Sequence, residues 1–399
     1  MSRLNLPKGV IALGLVSLCM DLSSEMIHSL LPVFLVTVLG ASALSVGLIE
    51  GIAEATASVV KVFSGVLSDW IGRRKPLVLM GYGLAALTKP LFPLATGLGT
   101  ILTARFVDRI GKGIRGAPRD ALIADITPPE IRGAAYGLRQ SMDTVGAFAG
   151  PLLAMALMAA THDNFRLVFW VAVLPAMACV LLIVFGVDEP ESTRRAKQGR
   201  LPISRENLRR LPAHFWWIVA FAAMLTLARF SEAFLLLRAQ QLGLAVTWVP
   251  MILIVMNLVY AASAYPFGKL SDNGNRSKLL AWGIVFLILA DLVLAAAGNI
   301  RLVVLGAAAW GLHMGATQGL LSALVADAAP ADLRGTAFGV FNLASGVALL
   351  AASVIAGALW SRFGPAMTFY VGAAFSAVAL VGLLINVRNS RHNGNPASQ

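Results

Sequence analysis

Apolar stretches, each about as long as a membrane-spanning helix, follow one another along almost the whole 399-residue chain. A helix needs about 20 mostly apolar residues to cross the ~30 Å hydrocarbon core of a bilayer. Dividing the chain at turn and charge signals predicts twelve such helices, six on each side of a polar segment at 187–214. The predicted spans are 9–38, 44–68, 76–95, 98–121, 133–159, 165–186, 215–241, 245–270, 278–297, 301–327, 333–360 and 364–386.

The composition excludes an ordinary water-soluble fold. Apolar residues make up 58% of the chain and charged residues 13%, against about 45–50% and ~25% in soluble domains. A net charge of +12 could suggest nucleic acid in a soluble protein, but here Lys and Arg concentrate in alternate connections. Only Arg166, Arg301 and Arg362 fall on the opposite side. Because cytoplasmic loops are enriched in Lys and Arg, we expect both termini inside a bacterial-type inner membrane, and no nucleic-acid partner.

Two segments of the chain are repeated at nearly one offset. GVLSDWIGRRK at 65–75 returns as GKLSDNGNRSK at 268–278, and ALIADITPPEIRGAAYG at 121–137 returns as ALVADAAPADLRGTAFG at 323–339. This duplication predicts an all-α polytopic membrane protein built from two six-helix bundles, 1–186 and 215–399, the second with a short cytoplasmic tail. Residues 187–214 are the predicted cytoplasmic linker. Duplicated bundles of this kind favour transport by alternating access around a midplane site.

The first repeated segment carries a family signature. Gly65, Asp69, Gly72, Arg73, Arg74 and Lys75 match the loop between helices two and three of the major facilitator superfamily (MFS). The chain resembles an MFS secondary transporter, and within the family the drug/proton antiporter-like bacterial permeases. The resemblance implies two bundles related by pseudo-two-fold symmetry and a conformational latch in this loop. The implied latch residues are Gly65, Asp69, Gly72, Arg73 and Arg74, with Asp272 and Arg276 in the fainter copy.

Ionisable residues recur inside four of the predicted spans. Each costs at least ~2.5–3.5 kcal/mol in mid-membrane, so each is a functional candidate. The resemblance implies that spans one, four, seven and ten line the central cavity. The candidates for its lining are Asp21, Glu25, His28, Arg105, Asp108, Arg109, Lys112, Arg229, Glu232 and His313. Among these, Asp21, Glu25, Asp108 and Glu232 are candidates for proton coupling. We expect Asp21 or Glu25 to bind the proton, with Arg105 or Arg109 as the changing ion-pair partner.

Charges elsewhere in the spans are interpreted mainly as structural pairs: Glu50, Glu54, Lys61, Lys89, Arg139, Asp143 and Asp291. Asp143 is the exception worth testing, because span five also carries an exporter-like motif. In span five, Gly146, Gly150 and Pro151 resemble part of the exporter motif of drug/proton antiporters, although Leu153 and Ala154 replace its last two glycines. Span four resembles a second antiporter pattern through Arg105 and Gly111, with Asp108 and Arg109 as departures. The additional positive charges of this span favour an anionic or chelate-like ligand.

These features predict proton-coupled efflux, by antiport, of small organic molecules. The expected partners are the small-molecule substrate, protons and the lipid bilayer, and the expected state is a monomer. Three alternatives remain open: uptake of an organic anion or a metal chelate such as a siderophore, metal-ion transport, and a transport-dead membrane sensor. Because the chain lacks H-E-x-x-H, G-x-S-x-G and P-loop motifs, we expect no enzymatic activity, no cofactor and no resident metal.

Overall fold

A computed structural model describes residues 7–71, 73–128, 131–188, 208–273, 276–330 and 333–392, and the structural statements below concern these residues. Within these ranges the chain forms helices and turns, without a strand. The helices are α1 Lys8–His28, α2 Leu31–Thr37, α3 Ala43–Ile71, α4 Lys75–Thr88, α5 Leu91–Leu94, α6 Leu98–Ile126, α7 Arg132–Ala160, α8 Phe165–Gly186, α9 Ala213–Ala228, α10 Ala233–Gln241, α11 Met251–Asn273, α12 Arg276–Ala296, α13 Ile300–Ala328, α14 Arg334–Phe363 and α15 Pro365–His392.

These helices form the twelve predicted membrane spans. Eleven described segments are long and apolar enough to cross a bilayer. The remaining span, α6, is 29 residues long but carries eight charged residues, which lower its apolar character. The predicted boundaries are confirmed within a few residues, and span six coincides with α8 at Phe165–Gly186. Most of the linker predicted at 187–214 lies outside the described residues.

Three spans are interrupted, which the apolar pattern did not predict. Span one is divided into α1 and α2, span three into α4 and α5, and span seven into α9 and α10. Each interruption lies at or beside an ionisable residue, namely His28, Lys89 and the pair Arg229 and Glu232. Discontinuous helices often accompany substrate and ion sites in transporters, because they free backbone polar groups inside the membrane.

Contacts divide the chain into two compact units. One unit is Met1–Leu39 with Ile52–Pro202, and the other is Gly40–Gly51 with Ile203–Gln399. In the first unit, α1 packs against α7 and α8, and α4 against α6. In the second, α13 packs against α11 and α12, and α12 against α15. The helices of each unit therefore surround a separate apolar core.

Arginines cap equivalent helix ends in the two units. Arg166 donates from its Nη1 and Nη2 to the carbonyls of Pro93 and Ala95, at 2.8 and 3.0 Å. Arg238 donates to the carbonyls of Ala295 and Ala297, 202 residues after those two positions. The last carbonyls of a helix have no partner within the helix, so a cation there supplies donors and complements the helix dipole.

Candidate functional site

A buried ion-pair network lies in the first unit. The Lys89 ammonium is 3.1 Å from Asp108 Oδ1, and Asp108 Oδ2 is 3.4 Å from Arg109 Nε. Arg109 Nη1 in turn donates to Glu54 Oε1 at 3.0 Å. The side chains of Lys89 and Asp108 are 2% and 5% exposed. Three helices of the first unit, α3, α4 and α6, thus hold alternating charges in contact, and the central Lys89–Asp108 pair is shielded from water.

Glycines bring the helices of this network close together. A Cβ at Gly81 of α4 would lie 2.7 Å from the carbonyl oxygen of Gly111 on α6. Lys89 follows the end of α4 at Thr88, where Pro90 interrupts the span. The close crossing of α4 and α6 therefore places the Lys89 side chain beside Asp108 on the neighbouring helix.

The predicted face of α1 reaches the network through a serine. Asp21, Ser24, Glu25 and His28 are three or four residues apart and share one face of the helix. The Lys89 ammonium donates to Ser24 Oγ at 3.0 Å. On the same face, His28 Nδ1 is 3.6 Å from Glu25 Oε2. The structure thus brings the α1 face into contact with Lys89, which in turn is paired with Asp108 on α6.

The antiporter-like glycines lie where α7 crosses α1. A Cβ at Gly146 would lie 3.0 Å from Asp21 Cβ, and one at Gly150 would lie 2.7 Å from Glu25 Cβ. Pro151 follows within α7. These two glycines therefore permit the close approach of α7 at the level of both α1 carboxylates.

Substituting alanine for Gly150 is expected to lower the free energy of unfolding by about 1–3 kcal/mol, because the new methyl group overpacks the α1 crossing. Gly137→Ala, in the same helix, is the matched control, because nothing lies within 4 Å of a Cβ there. Alanine at 137 should stabilise the helix by up to about 1 kcal/mol. Thermal unfolding of both variants in detergent tests this difference. Equal effects of the two substitutions would contradict the close crossing.

A second polar cluster, which the sequence analysis largely missed, connects α1, α4, α6 and α7. Arg119 Nη1 donates to Ser17 Oγ and to the Tyr82 hydroxyl, at 3.1 and 3.2 Å. The Arg115 guanidinium lies 4.4 Å from the centroid of the Tyr82 ring. On α7, Arg139 Nη1 donates to Asp143 Oδ2 at 2.6 Å, and Arg139 Nε lies 3.9 Å from Asp120 Oδ1 on α6. The three- and four-residue spacing of charges continues along α6 to Arg119, and this signal could have identified the cluster.

In the second unit, the predicted residues occupy two different settings. Arg229 and Glu232 flank the interruption between α9 and α10. His313 is fully buried, and its Nδ1 lies 2.8 Å from the Gly283 carbonyl oxygen. This contact places His313 in the packing between α12 and α13. Within the described ranges, no three His, Cys, Asp or Glu side chains gather as a metal would require.

The remaining cavity candidates lie on α6. Arg105 is buried, as Asp108 and Arg109 are, whereas Lys112 is exposed. These four positions follow the three- and four-residue spacing of one helix face. The structure thus brings Asp108 and Arg109 into one network with Lys89 and Glu54, two residues that the sequence analysis had interpreted as structural.

The repeated loop forms the same ion pair in both units. Arg74 Nε is 2.6 Å from Asp125 Oδ2 and its Nη1 donates to Ser68 Oγ at 2.9 Å. In the second unit, Arg276 forms the equivalent pair with Asp327. Both partners lie 202 residues after their counterparts, so the second repeated segment contained the signal for them.

Other predicted latch residues are only partly described. Arg73 is exposed. Gly72 lies outside the described residues, as do the side-chain surroundings of Gly65, Asp69 and Asp272.

Comparisons with known proteins agree with the fold. The family model of the Major Facilitator Superfamily matches residues 13–258 and 230–399. An uncharacterized MFS-type transporter of Methanocaldococcus jannaschii is 32% identical over 387 residues, covering 95% of this chain and 94% of that protein. The multidrug resistance protein MdtH of Photorhabdus laumondii is 29% identical over 144 residues, covering 36% and 35%. A solved POT family transporter in complex with a thioalcohol-conjugated peptide superposes with a TM-score of 0.80 at 12% identity, covering 97% and 96%.

Proposed function

Because the chain belongs to the major facilitator superfamily, we propose that this multi-pass membrane transporter is a proton-coupled antiporter that exports small organic molecules by alternating access. One observation carries the proposal. The carboxylates of Asp21 and Glu25 lie where α1 crosses α7, at the glycines that resemble the exporter motif. The similarity to part of a multidrug resistance protein supports the same direction of transport.

The proposed coupling links a proton to the ion pairs of α6. In a medium of low dielectric constant, a carboxylate beside a cation changes its proton affinity when that cation moves away. Ser24 connects the α1 face to Lys89, and Lys89 is paired with Asp108. A proton taken up by Asp21 or Glu25 removes a negative charge from this face. Lys89 and Arg109 then redistribute among the remaining carboxylates, and this exchange of partners accompanies the conformational change.

The proposed location is a bacterial-type inner membrane, with both termini in the cytoplasm. The distribution of Lys and Arg among the connections supports this orientation. There, the membrane potential adds ~2.3 kcal/mol per proton for each 100 mV. A monomer is sufficient for this mechanism, because a single chain contains both six-helix units.

Transport of an organic anion or a metal chelate is the second candidate. Among the buried charged residues described between 7 and 188, Lys89, Arg105, Arg109 and Arg115 are cationic, whereas Glu50 and Asp108 are anionic. This positive excess favours a ligand that brings negative charge. The coupling between a proton and the ion pairs of α6, described above, would serve export and uptake equally well.

Purified protein in liposomes, with an imposed pH gradient, separates these functions. Ethidium serves as the cationic probe and fluorescein as the organic anion. An antiporter accumulates its probe in vesicles that are acidic inside, whereas a symporter accumulates it in vesicles that are acidic outside. We expect gradient-dependent uptake of ethidium into acid-loaded vesicles. Uptake of fluorescein from acidic medium would instead establish the second candidate. Flux of either probe that does not depend on the pH gradient would contradict proton coupling.

Combining Asp21→Asn with Glu25→Gln is expected to abolish the gradient-driven part of ethidium flux, because neither side chain then binds a proton. Protein abundance and probe binding should persist. Asp163→Asn is the matched control: this residue is exposed in the turn between α7 and α8, and its φ of 63° suits asparagine. The control should transport as the wild type does. Unchanged pH-dependent flux in the double variant would remove Asp21 and Glu25 from the coupling mechanism.

A further inference from the structure

The described part of the second unit contains a buried carboxylate without a hydrogen-bond partner. Asp291, on α12, has a relative exposure of 0%. Neither of its carboxylate oxygens has a hydrogen-bond partner among the residues that the structure describes. An isolated buried anion is so costly that such a group takes up a proton instead.

The carboxylate is directed against α15. A Cβ at Gly372 would lie 2.8 Å from Asp291 Oδ2 and 3.0 Å from Cε1 of Phe230. Ser376, one turn further along the same face of α15, is also fully buried, and its hydroxyl has no partner among the described residues. The immediate surroundings of Asp291 are therefore glycine backbone and an aromatic ring rather than a cation.

The charged groups of the neighbouring elements are engaged elsewhere. From α10, Arg238 directs its guanidinium to the carbonyls of Leu294, Ala295 and Ala297. From α13, His313 contacts the Gly283 carbonyl oxygen, about two turns before Asp291 on α12.

The other titratable groups around this position lie on three segments. Arg229 and Glu232 flank Phe230 at the interruption of span seven. Tyr260 on α11 donates its hydroxyl hydrogen to Gln318 Oε1, and Tyr370 on α15 is 47% exposed. None of these groups forms a described hydrogen bond or ion pair with Asp291.

The internal repeat shows what is missing at this position. Gly81 packs against Arg115 in the first unit, and Gly283 packs against Thr317 in the second, so both members of the contact are displaced by 202 residues. In this register Lys89 corresponds to Asp291. The partner of Lys89, Asp108, corresponds to Trp310, which is 1% exposed and uncharged. The first unit thus neutralises its buried charge with an ion pair, and the second unit has no equivalent partner.

We propose that Asp291 is a proton-binding site of the second unit, with its carboxyl group protonated while α12 and α15 are packed together. This site is separate from the carboxylates of α1, and its protonation does not depend on the proposed direction or coupling of transport. Proton binding converts the carboxylate into a neutral acid. The site releases that proton when water reaches the position between the two helices.

Infrared spectroscopy of the purified protein tests the protonation state directly. At neutral pH, the C=O stretching band of buried, protonated carboxyl groups should be weaker in Asp291→Asn than in the wild type, by the contribution of one group. Asp125→Asn is the control, because this carboxylate is paired with Arg74 and its side chain is 28% exposed. The band should remain in the control. A band that persists unchanged in Asp291→Asn would overturn the proposal.

The pH dependence of unfolding gives a second, independent measurement. If folded Asp291 holds a proton that the unfolded chain has released, unfolding releases one proton and wild-type stability falls as the pH rises. Relative to Asp291→Asn, the unfolding equilibrium constant of the wild type should rise about tenfold per pH unit from about pH 4, where aspartate ionises in the unfolded chain, until the folded carboxyl group itself loses its proton. At or below about pH 4, where aspartate is protonated in the unfolded chain as well, this difference should disappear. A variant that is less stable than the wild type at every pH would mean that the carboxylate is charged and paired. Neither experiment requires substrate or a gradient, so failure here is distinguishable from failure of the proposed antiport.

Discussion

Replacing Asp108 with asparagine is expected to lower the free energy of unfolding by about 3–5 kcal/mol, because the buried ammonium of Lys89 loses its carboxylate. Lys89 retains Ser24 Oγ at 3.0 Å, but a neutral hydroxyl compensates a buried charge less well than an anion does. Arg109 loses a neighbour as well, at 3.4 Å. Unfolding of the purified variant in detergent, by heat or by added SDS, measures the loss.

The same helix offers a matched control for this variant. Asp120 also pairs with an arginine, at 3.1 Å from Arg119 Nε, but its side chain is 46% exposed. Asp120→Asn should therefore cost less than about 1 kcal/mol. Equal losses for the two variants would show that burial does not determine the strength of the Lys89–Asp108 pair.

A double-mutant cycle separates the pair from its surroundings. Lys89→Met alone leaves Asp108 beside Arg109 and should also be destabilising. Combining Lys89→Met with Asp108→Asn removes both buried charges, and the double variant should lose less than the sum of the two single losses. Strict additivity would indicate that the two side chains contribute independently, contrary to their 3.1 Å contact.

Replacing Arg238 with alanine is expected to cost about 3 kcal/mol of unfolding free energy. The guanidinium donates to the carbonyls of Leu294, Ala295 and Ala297, at 3.1, 3.2 and 2.8 Å, and the residue is 7% exposed. Each buried acceptor left without a donor costs ~1–3 kcal/mol, and water entering the space left by the side chain recovers part of this. The loss should appear in thermal unfolding of the purified protein.

Two arginines calibrate the effect of Arg238. Arg301→Ala, at an exposed position at the start of α13, should change stability by less than about 0.5 kcal/mol. Arg166→Ala removes donors from two carbonyls in the first unit and should give an intermediate loss. Arg238→Lys should recover little, because an ammonium cannot reach three carbonyls with the geometry of a guanidinium. If Arg238→Ala behaved like Arg301→Ala, the capping role would be refuted.

The variants of Asp108 and Arg238 answer a different experimental question from the variant of the two α1 carboxylates. Loss of stability in the Asp108 and Arg238 variants measures how helices pack within each unit. Loss of gradient-driven flux in the Asp21 and Glu25 variant measures coupling. The Lys89–Asp108 pair connects the two questions through Ser24, because the same ammonium contacts the α1 face.

The positions of the spans could be predicted closely because bilayer thickness imposes a local requirement on every helix. The start of α8 at Phe165 and its end at Gly186 coincide with the predicted span. Repetition of two segments likewise predicted two related halves. Span four was recognised in spite of its charges, because turn signals and spacing marked its limits even where the apolar content was low.

The partners of the charged residues could not be predicted in the same way. Lys89 and Glu54 were interpreted as structural, yet they lie at the two ends of the network around Asp108 and Arg109. For His313, a cavity candidate, the sequence did not predict the contact of its ring with the Gly283 carbonyl oxygen. Helical spacing identifies residues on one face of a helix, but not the neighbouring helix that this face meets.

Read alone, the amino-acid order was enough to establish the twelve spans, the duplication and the membership of a transporter family, because hydrophobicity and repeated motifs are properties of the chain itself. Folding decided which charges are paired and which are not. Lys89 and Asp291 occupy equivalent positions in the repeat and are both buried, but one has a carboxylate 3.1 Å away and the other has no described partner. That difference depends on how helices rotate and cross, which is set by packing between residues far apart in the chain.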